Sequence, residues 1–80
     1  MEKVMYVEIT KPGQRKNETS YTRFNMPDQK TANELTEAQR QLDYELHLAE
    51  NAPAPQRAAK KAAVKAKMRR LYAKAQKLAV

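Results

Sequence analysis

The sequence predicts an α+β fold: an N-terminal β-hairpin, a capped central helix and a long basic C-terminal helix packed antiparallel to it. Three observations carry this prediction. Two short runs near the N-terminus alternate apolar and polar residues with period two; from about residue 31 the apolar period becomes 3.6; and Asn51-Ala52-Pro53-Ala54-Pro55 interrupts that helical pattern once. Eighty residues make one small domain, a size at which a single hydrophobic core is only just sufficient.

In the first run, Val4 to Thr10, residues Met5, Val7 and Ile9 share one face and Val4, Tyr6 and Glu8 the other. Lys11-Pro12-Gly13-Gln14 is a turn signal, because Pro presets φ and Gly tolerates positive φ. After a polar stretch the second run, Ser20 to Met26, sets Thr22, Phe24 and Met26 opposite Tyr21, Arg23 and Asn25. Two such runs around one loop read as an antiparallel hairpin over residues 1–26, its tip carrying Lys11, Arg15 and Lys16. Both outer edges of a two-stranded sheet are open, so a partner strand or a homodimer can complete it. An alternative is that the first strand is loose, as N-terminal segments often are.

Pro27 ends the second strand. Thr31 followed three residues later by Glu34 has the spacing of a capping box, which places a helix over residues 31–51 with Leu35, Ala38, Leu42, Leu46 and Ala49 as its core stripe. Tyr44 and Leu48 fall on roughly the opposite side and need a second neighbour or a partner. Residues 52–55 form a Pro-rich link, and residues 56–79 form the second helix. From Val64 onward Met68, Leu71, Tyr72, Ala75 and Leu78 make an apolar stripe, but traced backward it lands on Lys61, Lys60 and Arg57. Residues 56–63 are therefore expected to project beyond the core, with helix formation there depending on a bound partner.

Charge is partitioned sharply. Residues 1–50 hold seven basic residues and all nine acids; residues 51–80 hold nine basic residues and no acid, within a total of +7. A surface helix selected for stability interleaves Glu with Lys at i,i+4, whereas this one accumulates like charge that an anionic partner would relieve. The predicted nucleic-acid-binding residues are Arg57, Lys60, Lys61, Lys65, Lys67, Arg69, Arg70, Lys74 and Lys77. Each is suited to neutralising a phosphate and releasing its counterions. No helix-turn-helix, aromatic RNA-binding or zinc-finger spacing accompanies them, so DNA is not distinguished from RNA.

Other chemistry is sparse. Cysteine is absent, and there is one His and one Gly, which removes disulfides, thiolate zinc sites, cysteine nucleophiles and Gly-rich phosphate loops. His47 has only Glu50 near it in sequence, and two ligands do not make a metal site. Asp43 and Glu45 diverge on a helix, and Ser20 has no neighbouring base. The expectation is a protein without catalytic residues, metal or cofactor. Neither a signal peptide nor a membrane-spanning run is present in the sequence, which predicts a cytoplasmic, nucleic-acid-associated protein. The C-terminal stripe also suits an anionic membrane surface, but it lacks Trp and Phe and is needed for the core, which argues against a membrane partner.

Two functional readings follow. In the first, a small basic regulator, of the economical kind that viruses and plasmids use in transcription, grips nucleic-acid phosphates through its C-terminal helix. In the second, a regulator or inhibitor docks on a large nucleoprotein enzyme such as RNA polymerase or a ribosomal assembly, its basic helix facing the bound nucleic acid. The partner-binding residues would then be Tyr6, Lys11, Arg15, Lys16, Tyr21, Arg23, Tyr44 and Leu48. Tyr6, Tyr21 and Arg23 can stack on bases, but they also read as ordinary cross-strand pairs of a half-exposed hairpin.

Overall fold

The computed structural model describes residues 5–11 and 20–80. Within them the chain forms β1 (Tyr6–Thr10), β2 (Tyr21–Asn25), α1 (Gln29–Glu50) and α2 (Ala54–Leu78), an α+β arrangement measuring 50 × 20 × 20 Å. β1 and β2 pair antiparallel with Tyr6 opposite Asn25, Glu8 opposite Arg23 and Thr10 opposite Tyr21. The period-two pattern sets which face is inward: Val7, Ile9 and Met26 are buried and Phe24 is half-buried. A loose first strand is excluded, because Ile9 is 0% exposed.

α1 begins earlier than the Thr31–Glu34 spacing implies. Its N-cap is Asp28, in extended backbone, whose carboxylate accepts a 2.7 Å hydrogen bond from the Thr31 N–H. Asp follows the Pro27 break directly, so the first exposed donors of the helix are met three residues upstream of the predicted cap. The hydrogen bonds from Thr31 hold the Asp28 carboxyl below its usual 3.8, with Lys30 adding a smaller push in the same direction. At its other end α1 is capped by Asn51, whose Nδ2 donates to the His47 carbonyl at 2.8 Å.

The link between the helices is shorter than residues 52–55. α2 already starts at Ala54, with Pro53 as N-cap and Pro55 in the first turn, where a missing N–H breaks no helical bond. Residues 56–63 lie within α2; all of 53–60 are exposed and Lys61 is half-buried. The Arg57 guanidinium donates to the Ala52 carbonyl from Nε and Nη2 (3.3 and 3.2 Å), tying this first turn to the link.

The sheet lies over the seam of the helix pair. Leu35, Leu42 and Ala49 from α1 meet Val64, Met68, Leu71 and Ala75 from α2, while Ala38, Leu46 and Tyr72 are half-buried at the margins. Tyr72 crosses the Phe24 ring edge-on at 5.2 Å and shares a 3.1 Å hydrogen bond with Thr22. Both sheet edges are partly covered by the chain itself, contrary to the expectation of two open edges. The Asn25 carbonyl accepts from the Val80 N–H at 2.9 Å, and the Thr10 N–H donates to Gln39 Oε1 at 3.2 Å.

Gln39 is buried on α1, and nothing in the apolar pattern marks it. Its Nε2 donates to Thr10 Oγ1 at 2.6 Å and to Asp43 Oδ1 at 2.9 Å, so one amide joins the end of β1 to α1. Replacing Gln39 by Leu keeps the side chain's bulk but leaves these groups without their partner, which is expected to lower stability by about 1–3 kcal/mol. Urea unfolding checks this. An unchanged midpoint would mean that water serves the Thr10 groups equally well.

Candidate nucleic-acid interface

α2 carries nine cations over 25 residues, and eight of the nine are exposed, Lys61 being half-buried. Two of them are engaged within the chain. Arg57 holds the Ala52 carbonyl, and Lys67 forms a 3.0 Å ion pair with Glu45 of α1. Lys60, Lys61, Lys65, Arg69, Arg70, Lys74 and Lys77 have no hydrogen bond or ion pair among the described residues. An exposed ammonium or guanidinium without an internal partner keeps its full charge for an incoming anion, and bringing one in breaks no internal bond.

The cations divide into two rows. At about 100° per residue, the buried stripe Val64, Met68, Leu71 and Ala75 fixes the inward direction. Lys65 and Arg69 then lie on the flank shared with Tyr72, toward the sheet, whereas Lys67, Arg70 and Lys74 lie on the flank toward the sheet-free side of α1. The outward-most positions between the rows are held by the alanines Ala59, Ala62, Ala66 and Ala73 and, in line with Ala59, by Lys77. No long apolar side chain stands between the two rows.

α1 supplies a feature that α2 alone does not reveal. Glu34, Gln41 and Glu45 follow one another along the side of α1 that faces the Lys67 row. Between the helices runs a shallow groove of about 350 Å³ lined by Ala38, Gln41, Leu42, Lys67, Arg70 and Leu71. Glu45 neutralises Lys67 on one bank of it. Glu37, further round α1, pairs with Arg40 at 3.8 Å in an exposed contact of little energetic weight. Glu45 was not singled out by its sequence position, since it stands 22 residues from Lys67 and only the fold joins them.

The described members of the expected partner-binding set do not form one surface with α2. Arg23 lies over the Tyr6 ring at 4.3 Å and pairs with its cross-strand neighbour Glu8 at 3.4 Å. This is the ordinary cross-strand arrangement, and it occupies the guanidinium. Tyr21 stands opposite Thr10 and is exposed. Lys11 is exposed at the end of β1, its N–H donating to the Ser20 carbonyl; Arg15 and Lys16 lie outside the described residues. Tyr44 and Leu48 project together from α1, 58% and 51% exposed, on a side that neither the sheet nor α2 covers.

Among the described residues no three His, Asp or Glu side chains assemble as a metal-binding group; His47 is exposed. Among the same residues no helix is long and apolar enough to cross a membrane. Comparison with protein-family models, with curated proteins and with solved structures returns no match.

Proposed function

We propose that this protein is a small non-enzymatic regulator, acting in transcription, that binds nucleic acid by laying α2 against the phosphate backbone. The observation that carries the reading is the set of seven exposed or half-exposed cations on α2 without partners among the described residues, on a helix that contains no acid. The rest of the chain nets −2, so the positive field is confined to one element. Such a helix offers a sequence-tolerant grip whose strength is set by the number of phosphates it neutralises.

Fluorescence anisotropy over a salt series tests this. Micromolar or tighter binding to short nucleic acids is expected, with log affinity falling linearly with log salt. With four to seven cations engaged, the slope on a duplex is about −4 to −6. A flat salt dependence, or no binding at low salt, would refute the phosphate grip.

A second reading rests on Tyr44 and Leu48. Side by side and exposed on α1, they are the kind of apolar pair a protein partner covers. In that reading the protein docks on a large nucleoprotein enzyme such as RNA polymerase through this pair and the hairpin edge, with α2 turned to the nucleic acid. Substituting both by Ser would then abolish capture of the enzyme while leaving affinity for free nucleic acid unchanged.

A further inference from the structure

We propose that α2 is received by the major groove of duplex DNA, with the phosphates of one strand against Lys65 and Arg69 and those of the other against Arg70 and Lys74. This inference rests on the nucleic-acid reading above and narrows it to one class of polyanion. The argument starts from the two rows. A single strand presents one phosphate track, and one row of cations is enough to follow it. Rows on two flanks of one exposed helix match two phosphate tracks with the helix between them.

Dimensions select the groove. An α-helix with its side chains is about 10–12 Å across, and the B-form major groove is about 12 Å wide and 8.5 Å deep. The A-form major groove of an RNA duplex is too deep and narrow for side chains to read, let alone for a helix to enter. α2 is 25 residues long, about 37 Å at 1.5 Å per residue, so its cations from Lys65 to Lys77 span about 18 Å along the axis. Among the described residues nothing packs on its outward face, since the sheet and α1 both pack on the buried stripe.

Charge on the neighbouring helix narrows the placement. A polyanion lying in the groove between α1 and α2 would approach Glu34 and Glu45, the latter already paired with Lys67. Like-charge repulsion there displaces the duplex toward the outward half of α2, where the side chains are cationic or small apart from the neutral amide of Gln76. Ala62, Ala66 and Ala73 at the crest let the helix axis sink between the strands.

The full chain is titrated against three labelled probes at several salt concentrations. These are a DNA duplex of about 16 base pairs, roughly one and a half turns, the RNA duplex of the same sequence, and the single DNA strand. Two variants remove one flank each: Lys65→Gln with Arg69→Gln, and Arg70→Gln with Lys74→Gln. All four side chains are exposed, so helix content by circular dichroism should be unchanged. The expected result is that DNA duplex binds at least about 10-fold tighter than the other probes. Each variant weakens it on the order of 10- to 100-fold at 0.1 M salt, with the salt slope smaller by about 1.8. Loss confined to one flank, or equal affinity for the RNA duplex or the single strand, overturns groove insertion while leaving a phosphate grip in place. Binding to none of the probes overturns both.

Discussion

The triple variant Lys65→Glu, Arg69→Glu, Arg70→Glu is expected to lose nucleic-acid binding altogether under conditions where the parent chain binds at micromolar concentration. Each reversal removes two units of charge, so three take the chain from +7 to +1. The loss also spans both flanks of α2, because Lys65 and Arg69 stand on one and Arg70 on the other. Three lost phosphate contacts alone lower affinity on the order of 10²- to 10³-fold at 0.1 M salt, and three new carboxylates facing phosphates add repulsion. Glu is as good a helix former as Lys, and none of the three has a partner to lose among the described residues. Relief of repulsion among nine like charges should if anything raise the melting temperature slightly. Stability and binding therefore move in opposite directions, which separates loss of contact from loss of fold. Anisotropy and thermal unfolding on the same sample check both. Retained binding after the three reversals would refute α2 as the interface.

The contrast with hairpin substitutions sharpens that test. Arg23 is the one cation of the described strands, and it is already shared between the Tyr6 ring and Glu8. Its removal deletes an exposed pair and a cation–π contact, together worth about 1 kcal/mol of stability at most, and takes no phosphate ligand from α2. Arg23 and Tyr6 variants are therefore expected to keep nucleic-acid affinity, and a loss comparable to that of the α2 reversals would mean that the interface extends to the hairpin.

The fold could be read from the residues wherever one physical signal dominated. Period-two alternation placed Val7, Ile9 and Met26 inward, and the 3.6-residue stripe picked Leu35, Leu42, Val64, Met68 and Leu71, because burial of apolar surface is what selects those faces. The cap was misplaced because two caps compete in the same stretch. Asp28 and Thr31 both suit the position, and only the chain direction set by Pro27 decides between them. Gln39 was invisible for a different reason: a buried amide is stabilised by partners 29 residues away, and no local pattern records them. The same holds for Glu45, whose ion pair withdraws Lys67 from the free cations. Charge could be counted from the sequence, but its division into two flanks became clear only once the buried stripe of α2 was fixed by packing.

Ile9→Ala is expected to be the most destabilising single change in the hairpin. Ile9 is 0% exposed and lies with Val7 against the helix pair. Truncating a fully buried Ile costs about 2–5 kcal/mol through lost transfer energy and the cavity left behind. A domain of this size holds only about 4–12 kcal/mol in all, so the melting temperature should fall by roughly 10–30 °C. A shift of only a degree or two would show that the strand contributes little to the core. The consequence reaches α2, which is rich in alanine and buries only Val64, Met68, Leu71 and Ala75. Nine like charges oppose its helicity, and docking on α1 and the sheet offsets that repulsion. Above its lowered melting temperature Ile9→Ala should lose binding together with helicity. Well below it the folded variant should bind with the parent's affinity and salt slope, because Ile9 touches no ligand and serves only to keep the cation rows on a rigid helix. A weakened slope in the cold, folded variant would mean instead that the hairpin sets how many phosphates α2 can reach.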